Sequence, residues 1–268
     1  MSSNQIQDSN SFGSRFGALM SMTGMCVGMG SVWRFPYMVG QYGGGSFIVA
    51  FIVCMMIIVL PLAIIECGTG KGHAKGTIGV MTDIFKNGPI GKLVGAVFAL
   101  GYYSMNFFYY VVLTASVYFI YSSATSEWTR VEPHHIYSNF EQHKIIVALI
   151  SVILVIATIY TLIKGVSDGI EKLSKIMIPM MFLFFIVVIF FGVFFIDGIQ
   201  SGYNWYLQPS LKALANPEIW IAALGQALFS IGVGPGCVLI YGSHLKKTSD
   251  VTLNMTTVCL LTCSVGII

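Results

Sequence analysis

Charge is what this chain has least of. Asp, Glu, Lys and Arg make up only 9% of its 268 residues, where a soluble domain carries roughly 25% to coat its surface. That scarcity excludes a soluble enzyme, a nucleic-acid binder and a disordered protein. The formal net charge of +3 is small, so no polyanion is implied and no nucleic-acid partner is expected. Cysteines in polar loops are missing as well. Cys26, Cys54, Cys67, Cys237, Cys259 and Cys263 all lie in or at the ends of apolar stretches, which excludes a disulfide framework. Cys259 and Cys263 stand four apart with no His or carboxylate beside them, a pattern of packing rather than of a metal pair. No Gly-rich phosphate loop, nucleophile elbow or H-E-x-x-H motif occurs, and nothing supports an enzyme. The polar N-terminus (Ser2, Ser3, Asn4, Gln5) has no basic n-region, which argues against a cleaved signal peptide.

What the chain does have is apolar length. Hydrophobic residues make up 56% of it, with 19 Phe, 29 Gly and 14 Met, and the mean hydropathy is +0.80. An α-helix needs about 20 apolar residues to cross a bilayer. Residues 46–65, 93–126, 145–163 and 176–196 each supply an uninterrupted span. Residues 16–33 and 219–243 are apolar but broken by glycines, and 251–268 begins a seventh span. An all-α polytopic membrane protein is therefore expected, with the lipid bilayer as its partner. Ten cations (Arg15, Lys71, Lys75, Lys86, Lys92, Lys164, Lys172, Lys175, Lys246, Lys247) fall on one side of this topology and three (Arg130, Lys144, Lys212) on the other, with Arg34 near a span end. The excess of positive charge inside predicts a cytoplasmic N-terminus in a cell (plasma or inner) membrane. Apolar sequence runs to Ile268 with no anchoring residue after it, so a fragment of a longer protein is expected.

Two interrupted spans carry the most information. The first reads Gly24-Met25-Cys26-Val27-Gly28-Met29-Gly30-Ser31, and the sixth reads Gly232-Val233-Gly234-Pro235-Gly236. Glycine costs about 1 kcal/mol inside a helix and proline about 3, and backbone groups freed in hydrocarbon must find partners. Close packing through small residues, or a simple kink, would explain one such span. Two of them, in the first and sixth positions, match two five-helix inverted repeats whose broken helices expose backbone groups. Transport is the leading reading on these grounds alone.

The run from Gly24 through Gly28, Gly30-Ser31-Val32-Trp33-Arg34-Phe35-Pro36-Tyr37 to Gly43-Gly44-Gly45 resembles the neurotransmitter:sodium symporter family. So do residues 61–71, Tyr109-Tyr110, residues 165–179, and residues 220–247 with Gly225-Gln226-Ala227-Leu228-Phe229-Ser230. The resemblance covers nearly the whole chain. It implies a five-helix inverted-repeat transporter fold with helices one and six broken, truncated in helix seven where the family has eleven or twelve. The expected divisions are a cytoplasmic segment (1–15), a first five-helix repeat (16–198), an extracellular loop (199–217) and the start of a second repeat (218–268). The implied activity is sodium-coupled import of an amino acid or related small amine by alternating access. A rival is a truncated or accessory membrane protein that keeps the fold without transporting.

Carried over residue by residue, the resemblance assigns a site. The carbonyls of Gly24 and Val27 would serve one sodium ion. The carbonyl of Cys26 and the side chains of Ser31, Ser230 and Thr262 would serve a second, although asparagines are usual at 31 and 262. The substrate carboxylate would meet the Met29 and Gly30 amides and the Tyr110 hydroxyl, with Cys26 and Ser230 also facing substrate. Gly28 stands where monoamine transporters carry an aspartate, which favours a zwitterionic amino acid. Phe229 would form a lid, and Gly232, Pro235 and Asn106 the side-chain pocket. Arg34, Glu66 and Gln226 are the expected gate residues. Glu66 could instead be an interfacial carboxylate solvated by headgroups. Chloride use is left open: Phe51 replaces the family's chloride-binding tyrosine, and Gly266 stands where chloride-independent members place a carboxylate. Ser9 occupies the place of the inner-gate arginine. Gly169 and Pro179 resemble a Gly-x9-Pro motif where helix five unwinds, and the loop pair His134-His135 is a minor zinc candidate.

Overall fold

In the computed structural model, which describes residues 11–28, 30–86, 88–125, 140–196 and 198–268, every regular element is helical. Helix α1 (Arg15–Val27) is capped by Ser14, whose hydroxyl accepts the Gly17 N–H at 3.0 Å. It stops at Gly28. A wide π turn (Gly30–Arg34) then leads into α2 (Phe35–Gln41), which has Pro36 in its first turn. The two halves meet at 47°. Next come α3 (Gly45–His73), α4 (Thr77–Phe85), α5 (Gly88–Ala124), α6 (Lys144–Ile163) and α7 (Val166–Phe195). The short helices α8 (Ile199–Leu207) and α9 (Leu211–Leu214) precede α10 (Pro217–Ile231), α11 (Cys237–Ser243) and α12 (Val251–Ile267).

Among the described residues α3, α5, α6 and α7 are each long and apolar enough to cross a membrane, and the α1–α2 pair counts as a fifth, broken span. These match the first five spans expected from hydropathy. The sixth is divided into α10 and α11, and the seventh is the 17-residue α12. The fifth span, α7, departs from expectation. It widens into a π turn at Val166–Glu171 and then stays helical through Pro179. Gly169 has a packing reason to lack a side chain, since a Cβ there would fall 2.1 Å from the Thr161 carbonyl oxygen at the end of α6.

The core lies where α1, α2, α3, α10 and α12 meet, around Met22, Phe35, Phe47, Phe51, Met55 and Val258. Phe35 sits edge-on to Phe51 at 4.7 Å between ring centroids. The outer helices are apolar in the other direction. No residue of α6 is buried, and Phe107, Ile145 and Ile163 are 75%, 78% and 79% exposed. An apolar exterior that extensive belongs in hydrocarbon rather than water. The protein is a membrane protein.

At the end of the bundle that carries Lys246, a short segment before α1 is held from two sides. The buried carboxylate of Glu171 accepts the Gly13 N–H at 2.6 Å, the Ser14 N–H at 3.1 Å and the Ser14 hydroxyl at 2.8 Å. Lys175 pairs with the same carboxylate at 2.6 Å. On the other side Phe12 donates its N–H to the His244 carbonyl at 3.1 Å and stacks on Tyr241. Four partners offset the desolvation of a charge that would be costly alone. Outside the spans, Lys75 and His73 beside Asp83 hold its carboxyl below the usual carboxylate range.

Helices α3 and α11 touch backbone to backbone. A Cβ on Gly70 would fall 2.0 Å from the Leu239 carbonyl oxygen, and one on Gly242 would fall 2.3 Å from that of Cys67. Neither helix can carry a side chain there. Gly72, two residues on, has open space. Gly70→Ala is therefore expected to lower stability by about 1–3 kcal/mol, the cost of overpacking a fitted contact. Gly72→Ala should stay within about 0.5 kcal/mol of the parent. Thermal unfolding of the two variants in detergent checks the contrast.

Candidate functional site

Two helix breaks face each other. Between α10 and α11, Gly232, Gly234 and Gly236 take φ of +71°, +106° and +98°, a left-handed region that residues with a Cβ avoid. Pro235 lies between two of them. The break frees amides, and Glu66 on α3 takes them: Gly234 N–H donates to Oε2 at 2.8 Å and Leu239 N–H to Oε1 at 3.3 Å. Glu66 thus reaches the broken helix through two hydrogen bonds. The loose carbonyls are taken crosswise. Gln226 on α10 donates its amide to the Gly30 carbonyl at 2.9 Å, beyond the first break. The Cys26 thiol on α1 donates to the Ile231 carbonyl at 3.6 Å, before the second.

A cavity of about 620 Å³ opens between the breaks. Gly24, Met25, Val27 and Gly28 form one wall. Tyr102, Asn106, Tyr109 and Tyr110 of α5 form another, and Phe229, Gly232, Cys237 and Tyr241 a third. Its described lining carries no charged side chain. Phe229 also borders a second cavity of about 410 Å³, shared with Trp33, Arg34, Tyr37 and Phe108. The Phe229 ring is therefore the partition between the two. It is contacted by the Arg34 guanidinium 4.8 Å from its centroid and by the near-parallel Tyr109 ring at 6.2 Å. A cation over an aromatic face is worth about 0.5–2 kcal/mol.

The structure brings Gly24, Val27, Asn106, Tyr110, Phe229 and Gly232 together on the cavity wall. Cys26, Gly30, Ser31, Gln226, Ser230 and Thr262 lie behind it as a buried layer. There Gln226 also donates to the Ser230 hydroxyl at 3.1 Å. Thr262 donates to the Val258 carbonyl of its own helix at 2.8 Å and adjoins the Cys26 thiol. Ser31 Oγ and Gln226 Oε1 are buried oxygens with no partner. Pro235 stays in the break, away from the cavity lining. Phe51 and Gly266 both meet the Phe35 ring, with a Cβ at 266 falling 3.4 Å from it. Met29, Ser9 and the His134-His135 pair lie outside the described residues.

Sequence reasoning passed over Tyr102, Met25, Cys237 and Tyr109 as site residues. A signal for the tyrosines existed. Tyr102, Asn106, Tyr109 and Leu113 recur at helical spacing and share one face of α5, and all four line the cavity. Tyr110 is one residue around from the centre of that face.

An all-helical membrane bundle with two opposed helix breaks around a cavity is built as a transporter of the broken-helix class. The chain belongs to the sodium:neurotransmitter symporter family, whose model matches residues 9–145 and 131–268. It is 30% identical over 265 residues to an uncharacterized sodium-dependent transporter of Methanocaldococcus jannaschii, covering 94% of this chain and 53% of that protein. A sodium-dependent neutral amino acid transporter, B(0)AT2 of Pongo abelii, is 26% identical over 275 residues, covering 92% of this chain and 38% of its own. The crystal structure of MhsT in complex with L-phenylalanine superposes with a TM-score of 0.81 at 24% identity, covering 96% of this chain and 59% of that one. That likeness shows the fold. The family and these relatives are transporters, not enzymes. The chain spans about half the length of the archaeal relative.

Glu66 gives this geometry a direct test. Glu66→Ala takes the acceptor from the Gly234 and Leu239 amides, at about 0.5–1.5 kcal/mol each. Glu66→Gln keeps one acceptor oxygen. Hydrogen exchange across residues 232–239 should rise most in the alanine variant and by less in the glutamine variant.

Proposed function

We propose that this chain works in a sodium-coupled symporter that carries an amino acid or related small amine across the cell membrane by alternating access, with its N-terminus in the cytoplasm. The observation that carries the reading is the uncharged cavity between two helix breaks, partitioned from the outer cavity by Phe229. A substrate that brings its own opposite charges suits such a wall, because the wall offers none. Its carboxylate would meet the Gly30 N–H, the Met29 amide and the Tyr110 hydroxyl. Gly28 presents no acid to an amine-only substrate. The names of two related transporters, one for neutral amino acids and one solved with L-phenylalanine, support the same class.

Sodium is cargo in this reading, not a resident cofactor. It is a hard cation that takes oxygen ligands, as such ions do. The Gly24 and Val27 carbonyls would supply one site. The unpaired Ser31 hydroxyl fits the donor set of the second, since a buried oxygen without a partner gains most from a cation. Ser230, Thr262 and the Cys26 carbonyl would complete it. Gln226 Oε1 is a further unpaired oxygen in the same layer. Alternating access would then require Phe229 to leave its contacts with Arg34 and Tyr109 on one side. On the other, the Phe12–Ser14 segment would leave its place under Glu171.

Substrate binding by the full-length protein in proteoliposomes should need Na⁺ and fail in K⁺. Equal binding in both salts overturns the coupling. Tyr110→Phe should weaken binding by about 1.5–3 kcal/mol, the value of a hydrogen bond to a charged group. Tyr109→Phe keeps the ring stacked on Phe229 and should change affinity little. The reverse order would move the carboxylate contact to Tyr109.

A further inference from the structure

A second polar cavity, of about 230 Å³, lies where the entry to α1 meets the start of α12. It is separate from the substrate cavity and shares no residue with it. Ser14, whose hydroxyl is bonded to Glu171, lines it together with Arg15, Lys246, Thr248, Ser249, Asp250 and Asn254. The wall on the α1 side is rigid, because Glu171 holds the Gly13 and Ser14 amides and Lys246 Nζ donates to the Gly13 carbonyl at 2.8 Å. Arg15 follows directly on that clamped segment. It is exposed and forms no ion pair among the described residues.

Asn254 is the observation that points to a ligand. It is only 2% exposed, it lines the cavity, and its Oδ1 has no partner. A buried amide left unsatisfied is destabilising. The oxygen and nitrogen of an amide head exchange places by a half-turn, so Asn254 can present either an acceptor or a donor to the cavity. The start of the 17-residue α12 adds the positive end of a helix dipole. Asp250 is the one acid in the lining, and its Oδ1 already accepts the Leu253 N–H at 3.0 Å. Arg15 and Lys246 outweigh it by one charge.

We propose that this cavity binds a phosphate group, supplied either by an anionic lipid headgroup or by free phosphate. Arg15 gives planar, charge-assisted hydrogen bonds to phosphate oxygens. Lys246 keeps donors beyond the one given to Gly13, and the Thr248 and Ser249 hydroxyls and the turned Asn254 amide complete the shell. A bound phosphate would tie the entry of α1 to the start of α12 and hold that end of the bundle closed.

The test titrates the purified protein in neutral detergent with inorganic phosphate. A parallel arm uses phosphatidylcholine nanodiscs with and without phosphatidic acid, and both arms follow the thermal unfolding midpoint. The expected result is a rise in midpoint with phosphate, phosphatidic acid or both. Arg15→Gln, at an exposed position that leaves the core intact, should weaken the apparent affinity about tenfold, as loss of a charge-assisted bond does. Asn254→Leu should weaken it too, while Lys75→Gln, paired with Asp83 elsewhere, should not. A response to phosphatidic acid alone assigns the lipid as source, and a response to phosphate alone assigns the free ion. No rise beyond that of NaCl at equal ionic strength overturns the proposal. So does a rise that Arg15→Gln leaves unchanged.

Discussion

Backbone amides and carbonyls freed inside an apolar bundle must be paired, and this structure is organised around how that is done. Both breaks release groups that the helices' own bonding no longer serves. Glu66 takes the amides of the second break, Gln226 takes the Gly30 carbonyl beyond the first, and Cys26 takes the Ile231 carbonyl before the second. Each bond runs to a different helix. The breaks are consequently not weak points in isolated helices but a joint among α1, α3, α10 and α11. The same joint explains why α11, only seven residues long, has a fixed place: its Leu239 amide lies on Glu66 and its backbone lies against α3 at Gly70 and Gly242.

A second carboxylate repeats the device at one end of the bundle. Glu171 uses its oxygens on the amides and hydroxyl that precede α1, with Lys175 balancing the charge. In both places a glutamate on an unbroken helix holds a segment that has lost, or not yet begun, its helical bonding. Charge is scarce in this chain, and these two acids are spent on backbone. At the other end the cation Arg34 lies on the Phe229 ring, so the partition of the cavity is held by electrostatics and stacking rather than by close packing. A face held by a few kcal/mol of cation–π and stacking interaction yields sooner than a jigsaw core.

Much of the fold was legible in the residues. Uninterrupted apolar runs located α3, α5, α6 and α7 because a bilayer-length helix satisfies its own backbone whatever its neighbours do. Clustered glycines located both breaks, and at the second one three left-handed φ values in five residues admit almost nothing else. The motif around Gly24–Pro36 marked the family. Several residues expected at the site, Gly24, Val27, Asn106, Tyr110, Phe229 and Gly232 among them, do share one cavity wall. Other parts of the site were not legible. Tyr109 and Tyr110 are equivalent as letters, and only the rotation of α5 sets Tyr109 against Phe229. The Gly169–Pro179 stretch reads as an unwinding site, yet it is a single wide turn here, because Gly169 serves the close approach to α6.

The sequence by itself determined that the chain is helical, that it belongs in a membrane, and that its first and sixth apolar stretches carry helix breakers near their middles. Those properties depend on local composition: the transfer cost of side chains and the φ values each residue tolerates. The tertiary structure alone decided which groups satisfy the breaks, which tyrosine meets the partition, and why Asn254 and Ser31 are left with unpaired oxygens. Those outcomes depend on distances between residues far apart in the chain. Glu66 and Gly234 are 168 positions apart and 2.8 Å apart in space, and the reach and direction of a hydrogen bond are settled only when the helices have packed.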